Sequence, residues 1–194
     1  MRPNRAGRWA KQVLTLKDDH TWKAPPGYNV FVADRGAVRF NVPTDWVVAS
    51  ASDCIELHDR PAPDDDCRLA VSYLRLPPLD WSELPLSQLL TAIAENERRN
   101  VLTRGEIVTV PRNDLELAFM EIHFVDLKET REAFSRIALA RGQQPAGEAN
   151  LQALITFDFW ADDAARFDPI WAEVMRSIQL GRYVADPTAG DFLH

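Results

Sequence analysis

The chain has 194 residues, a hydrophobic fraction of 46%, a charged fraction of 26% and a formal net charge of −7. That length holds one domain with a full core, or one domain plus an arm, and the composition is that of a soluble globular protein. The acidic balance argues against nucleic acid or an anionic membrane surface as the main partner, no apolar run approaches the ~20 residues of a membrane span, and two cysteines are too few for a disulfide scaffold.

Residues 1–27 read as a basic N-terminal arm that closes with Ala24-Pro25-Pro26-Gly27. Arg2, Arg5, Arg8 and Lys11 recur every three residues, as in a solvated arm or one that docks an acidic partner. Val13 to Leu16 offer a short edge strand. The N-terminus lacks the apolar stretch of a signal peptide, so cytoplasmic residence is expected, with Cys54 and Cys67 reduced. High Arg, Ala, Pro and Asp usage points to a bacterial source.

From Tyr28 the pattern is strand-rich. Apolar runs at 28–33 and 37–42 flank Asp34-Arg35-Gly36, a hairpin-type turn. Strands are expected at 46–51, 54–58 and 68–76, with a Pro- and Asp-rich loop at 59–66 and a stop at Pro77-Pro78. Leu86, Leu89, Leu90 and Ile93 fall at helical spacing, so residues 86–99 read as the first helix, with Arg98 and Arg99 capping its end. Strands follow at 106–110, 115–125, 131–140 and 151–160, with a flexible loop at 142–147. The tight connection at 126–130 predicts an antiparallel meander. The last helix has the clearest period: Phe167, Ile170, Trp171, Val174, Met175 and Ile178 line one face. Asp168 before Pro169 reads as its N-cap, and Gly181 as its stop. Residues 182–194 form a tail. Strands without crossover helices between them argue for an α+β fold over a doubly wound parallel sheet, in a single domain at 28–181.

Two stretches carry a family likeness. One is Val38-Arg39-Phe40-Asn41-Val42-Pro43-Thr44-Asp45-Trp46; the other runs from Phe167-Asp168-Pro169-Ile170-Trp171 to Ser177-Ile178-Gln179-Leu180-Gly181. From Tyr28 to Gly181 the chain resembles the PsbP/Mog1-like superfamily. The resemblance implies an antiparallel sheet with helices packed on its faces, and a binding or accessory role. Members include a partner of a small GTPase, a photosystem subunit and bacterial adaptors for secreted effectors. It transfers no catalytic residue.

Phosphate-binding glycine loops and a nucleophile elbow are absent. Cys54, Glu56 and His58 share one strand face by the period of two, and a hairpin loop at 59–66 would bring Cys67 near His58, a weak zinc set. Asp64-Asp65-Asp66 lacks the spacing of a calcium loop. His123 with Glu121, and Asp158 if its strand pairs alongside, is the one acid–base combination. Trp81, in a Pro-rich loop, is the expected partner anchor, with Trp46 and Trp160 as further binding candidates; the phase of Trp171 puts it in the core.

The expectation is a non-enzymatic protein-binding adaptor or accessory module without a cofactor. A small-molecule or lipid-binding domain with a pocket between sheet and helix is the alternative, and a metal-dependent hydrolase the third reading.

Overall fold

The Asp34-Arg35-Gly36 turn closes a hairpin, as expected. β1 (Tyr28–Ala33) and β2 (Val38–Pro43) pair antiparallel from Tyr28↔Pro43 to Ala33↔Val38. The turn requires a glycine at Gly36, where φ is +110° and a Cβ would lie 2.1 Å from the carbonyl oxygen of Arg182. These coordinates are a computed structural model that describes residues 11–142 and 150–192.

An eight-stranded sheet forms the body. β3 (Val47–Ser50), β4 (Ile55–His58) and β5 (Cys67–Arg75) are antiparallel neighbours. α1 (Leu86–Glu95) then carries the chain to the far edge, where β6 (Asn100–Arg104) and β7 (Val108–Thr109) both pair with β8 (Leu115–Asp126). β9 (Arg131–Gly142) and β10 (Leu151–Trp160) meander back, and β10 closes against β5, giving the order β3-β4-β5-β10-β9-β8-β6. The β8–β9 register runs unbroken from Leu115↔Gly142 to Asp126↔Arg131, the predicted meander. α2 (Ala164–Ser177) follows, β11 (Gln179–Leu180) adds to β2, and β12 (Val184–Asp186) pairs with β13 (Asp191–Phe192). This is the α+β architecture expected, with antiparallel sheets and a C-terminal amphipathic helix.

Alternation gives the large sheet two buried faces. On one, Leu57, Leu69, Leu117, Phe157 and Phe159 meet Phe167, Trp171 and Val174 of α2 and Phe40 of β2. Phe157 is the hub, with ring centres 5.9 Å from Trp46, 5.6 Å from Phe167 and 6.1 Å from Trp171. Burying each such side chain contributes about 1.5–3 kcal/mol by transfer. On the other face, Leu86, Leu90 and Ala94 of α1 cover Met120, Ile122, Ile137 and Leu139.

Three expectations are corrected. α2 begins at Ala164, after a 3₁₀ turn, so Asp168 is not its N-cap and Pro169 lies inside the helix. Beyond the first turn a proline removes a hydrogen bond; the packing of Phe167 and Trp171 on Phe157 holds the helix together across it. Asp168 instead accepts from Arg136 at 2.6 Å. α1 stops at Glu95, where the Asn96 side chain donates to the Ala92 carbonyl at 2.7 Å and ends the helix. Arg99 therefore does not cap a helix; it pairs with Glu97 at 2.7 Å and Asp158 at 3.0 Å. The strand at 100–104 lies outside the expected elements, and its mostly exposed side chains show no alternation.

Val13 to Leu16 take no strand conformation. Residues 17–22, by contrast, lie along the C-terminal segment. Lys17 N–H donates to the Thr188 carbonyl at 3.0 Å and Thr21 N–H to that of Ala189 at 2.8 Å. Trp22 is buried there and donates to Pro187 O at 2.8 Å. Arg2, Arg5 and Arg8, and the loop past Gly142, lie outside the described residues.

Candidate functional site

The acid–base candidates of the sequence lie on different faces of the sheet. His123 and Glu121 lie on the α2 side of the sheet, by the register that sets His123 opposite Phe134. Asp158 has the opposite parity and points to the other side, toward Arg99. The three do not converge. Glu121 is taken by Arg136 at 2.7 Å, and the His123 ring stacks on Phe134 at 4.6 Å. Its Nε2 lies 2.9 Å from Glu132 Oε2 but without hydrogen-bond alignment.

The thiol and imidazole candidates separate for the same reason. His58 pairs with Arg68 across the ladder, so Cys67, one residue earlier, turns into the α2-side core while His58 stays on the other face. His58 Nδ1 is 2.8 Å from Asp65 Oδ2, and Glu56 pairs with Arg68 at 2.9 Å. Cys54 sits 3.9 Å from Glu56 Oε1. Burial raises the pKa of both thiols, most strongly at Cys67, which disfavours the thiolate a metal needs. Among the described residues no three His, Cys, Asp or Glu side chains gather where a metal would sit.

The three tryptophan candidates have different surroundings. Trp46 is in the core against Phe157, 9% exposed. Trp160 is half-buried under the Arg131 guanidinium, 4.8 Å from its ring centre. Trp81 is half-buried as well, not free in solvent. Its Nε1 donates to Pro77 O at 3.1 Å, and its ring centre is 5.9 Å from the Arg141 guanidinium.

Arg141 organises that corner. It is 2% exposed, and its Nη atoms donate to the carbonyl oxygens of Trp81 at 3.1 Å and Leu84 at 3.0 Å. It also donates to Gln152 Oε1 at 3.2 and 3.3 Å. Among the described residues its carboxylate partner is Glu116, 3.4 Å away and well exposed. The loop at 77–85 is tightened further by Leu84 N–H on Trp81 O at 3.0 Å and Ser82 N–H on Asp80 Oδ1 at 2.9 Å. It presents Leu79, 63% exposed. The sequence carried one clue to Arg141: it shares the parity of Ile137 and Leu139, where a buried side chain is expected.

Beside this loop runs a groove of about 620 Å³ between α1 and the sheet. Leu89, Ala92, Ile93 and Asn96 form the helix wall; Ser72, Leu74, Gln152 and Leu154 are the main sheet residues. Among the described residues its lining holds no Asp, Glu, His, Lys, Arg or Cys. A second depression, beside α2, is bridged by Arg112, which donates to Met175 O at 3.2 Å and Arg176 O at 3.0 Å. No helix among the described residues is long and apolar enough to cross a membrane.

The family model Alr1449 matches residues 29–184, and the chain belongs to that family. It is 46% identical over 184 residues to the uncharacterized protein alr1449 of Nostoc sp., covering 94% of this chain and 93% of that protein. Among solved structures it is similar to LpqN of Mycobacterium tuberculosis, a protein involved in cell envelope biogenesis, with a TM-score of 0.58 and 12% identity over 78% of this chain and 89% of LpqN. That likeness is one of fold. The Ran-binding protein Mog1p of Saccharomyces cerevisiae aligns at a TM-score of 0.49 and 12% identity, over 86% of this chain and 98% of Mog1p.

Proposed function

We propose that this Alr1449-family chain is a non-catalytic protein-binding module, an adaptor or accessory subunit, that meets its partner through the loop at 77–85. One observation carries the reading: a buried arginine fixes two backbone carbonyls of that loop while the loop holds an apolar side chain, Leu79, out in solvent. A loop already ordered when free loses little entropy on binding. An apolar residue beside a half-buried tryptophan is the composition of an interface hot spot. The scattering of the acid–base candidates supports a role without catalysis.

Leu79→Asp is the decisive variant, because it changes the surface and leaves the fold's contacts alone. Trp81→Ala is expected to weaken the partner as well, but also to loosen the loop. The experiment is affinity capture from native lysate, read by quantitative mass spectrometry, with melting temperatures measured in parallel. One protein recovered near stoichiometry, and reduced about tenfold by Leu79→Asp at an unchanged melting temperature, is the expected result. A captured protein that ignores Leu79→Asp, or no captured protein at all, removes the proposal.

A further inference from the structure

Residues 17–22 occupy a socket built from the far end of the chain. Their side-chain hydrogen bonds span 165 to 169 residues of sequence. The N–H groups of Lys17 and Thr21 rest on the carbonyls of Thr188 and Ala189, as a peptide lies along a receptor backbone. Thr21 adds its hydroxyl to Gly190 O at 2.9 Å. The socket is shaped for an indole. Gly190 has φ +78°, and a Cβ there would lie 2.9 Å from the Trp22 ring, so glycine leaves the room that the ring fills. Pro187 O accepts from Trp22 Nε1 at 2.8 Å, and the Arg39 guanidinium stands 4.9 Å from the ring centre. At the rim, Asp186 takes the Lys17 ammonium at 2.7 Å.

One turn brings this segment to the socket of its own domain. Tyr28 N–H donates to Pro25 O at 3.1 Å, with Pro26 and Gly27 between them and φ +83° at Gly27. Proline followed by a residue of positive φ is the signature of a type II turn. With Gly27 at negative φ the turn is lost, and Pro25-Pro26 becomes an extended spacer that carries the arm away from its own domain. Each contact made within one chain can then be remade between two, because the socket and the segment are unchanged. Charge favours that meeting. Residues 1–11 hold Arg2, Arg5, Arg8 and Lys11 and no acidic residue, whereas the whole chain carries a net charge of −7.

We infer that two copies of this chain exchange their N-terminal arms, each seating its Trp22 and Lys17 in the socket that the other forms with Arg39 and residues 186–190. The contact is separate from Leu79 and stands or falls independently of the adaptor reading.

The test is sedimentation velocity of the full chain over a range of concentrations. A monomer–dimer equilibrium is expected, which Trp22→Ala weakens about tenfold. Gly27→Ala separates exchange from a merely structural arm. Its Cβ would meet nothing within 4 Å, so the variant penalises the positive φ of the turn alone. It should tighten the dimer about tenfold, whereas an arm that only packs on its own domain would give no dimer. Charge reversal identifies the contact without touching the core. Lys17→Asp and Asp186→Lys each set like charges against one another and should weaken the dimer. An equimolar mixture of the two chains restores the ion pairs only between copies, and at low salt should dimerise about tenfold more tightly than either chain alone. Parent and Gly27→Ala chains that both stay monomeric up to roughly 1 mM overturn the exchange. So does a dimer indifferent to Trp22→Ala, or a mixture that dimerises no more than its components.

Discussion

The guanidinium of Arg141, near the end of β9, donates to the carbonyl oxygen of Trp81 at 3.1 Å, across sixty residues of sequence. The same side chain reaches Leu84 O and Gln152 Oε1. One buried cation therefore ties the loop before α1 to Gln152 of β10, and the loop depends on it for its shape.

Replacing Arg141 is expected to cost more than a surface ion pair. Arg141→Met keeps much of the volume but leaves the carbonyls of Trp81 and Leu84 without their donor. Losing charge-assisted bonds to buried acceptors costs about 2–4 kcal/mol. Urea denaturation measures the loss, and amide exchange at Leu84, whose N–H rests on Trp81 O, reports the loop. A change below about 0.5 kcal/mol would show that water replaces the guanidinium without penalty.

Trp171 offers a contrast between size and polarity. It packs on Phe157 and, edge-on at 5.7 Å, on Phe119, while its Nε1 is buried with no hydrogen-bond partner among the described residues. Trp171→Ala opens a core cavity and should cost about 3–5 kcal/mol. Trp171→Phe keeps an aromatic ring and removes the unsatisfied N–H, so its cost should stay below about 1.5 kcal/mol. Thermal or urea unfolding of the two variants decides; equal losses would mean that the indole N–H has a stabilising role.

The contact between residues 17–22 and the C-terminal hairpin should depend on pH. Lys17 donates to Asp186 at 2.7 Å, and Thr188 gives its hydroxyl at 2.7 Å and its N–H at 2.8 Å. Lys17 foremost, with Thr188, holds the Asp186 carboxyl far below the ordinary carboxylate range, and Asp186 in turn raises Lys17. For Asp186 the folded pKa lies below the unfolded one. Its contribution is therefore complete above the ordinary value of about 4 and is lost as pH falls through the depressed value. For Lys17 the contribution is complete below about 10.4 and is lost as pH rises through the raised value. Exchange protection of Lys17 and Thr21, corrected for intrinsic rates, should hold across neutral pH and fall in strong acid. Asp186→Asn should reproduce the loss at pH 7, and salt should weaken the parent contact because both groups are exposed. Protection that is flat with pH and indifferent to Asp186→Asn would place the hold in Trp22 and the backbone bonds.

The periodic elements were legible because each buries a face by itself. Residues 151–160 alternate except at Leu154 and Trp160, and β10 occupies that span; Phe167, Trp171 and Val174 mark the buried stripe of α2. The strand at 100–104 was illegible because an edge strand buries too little to write a pattern. Local preference puts Pro169 at a helix start, while the core packing of Phe167 sets the start of α2 earlier.

By itself the sequence determined an antiparallel α+β domain with a C-terminal amphipathic helix, because local periodicity and turn chemistry encode elements. Only the tertiary structure decided which side chains meet. Parity within one strand is local, but register and strand order are not: a single residue of offset parts His58 from Cys67, and β9 lies between the strands of His123 and Asp158. The groove depends on where α1 sits across a sheet whose strand order the sequence does not state. The role of Arg141 comes from the approach of a loop sixty residues away, which no local pattern contains.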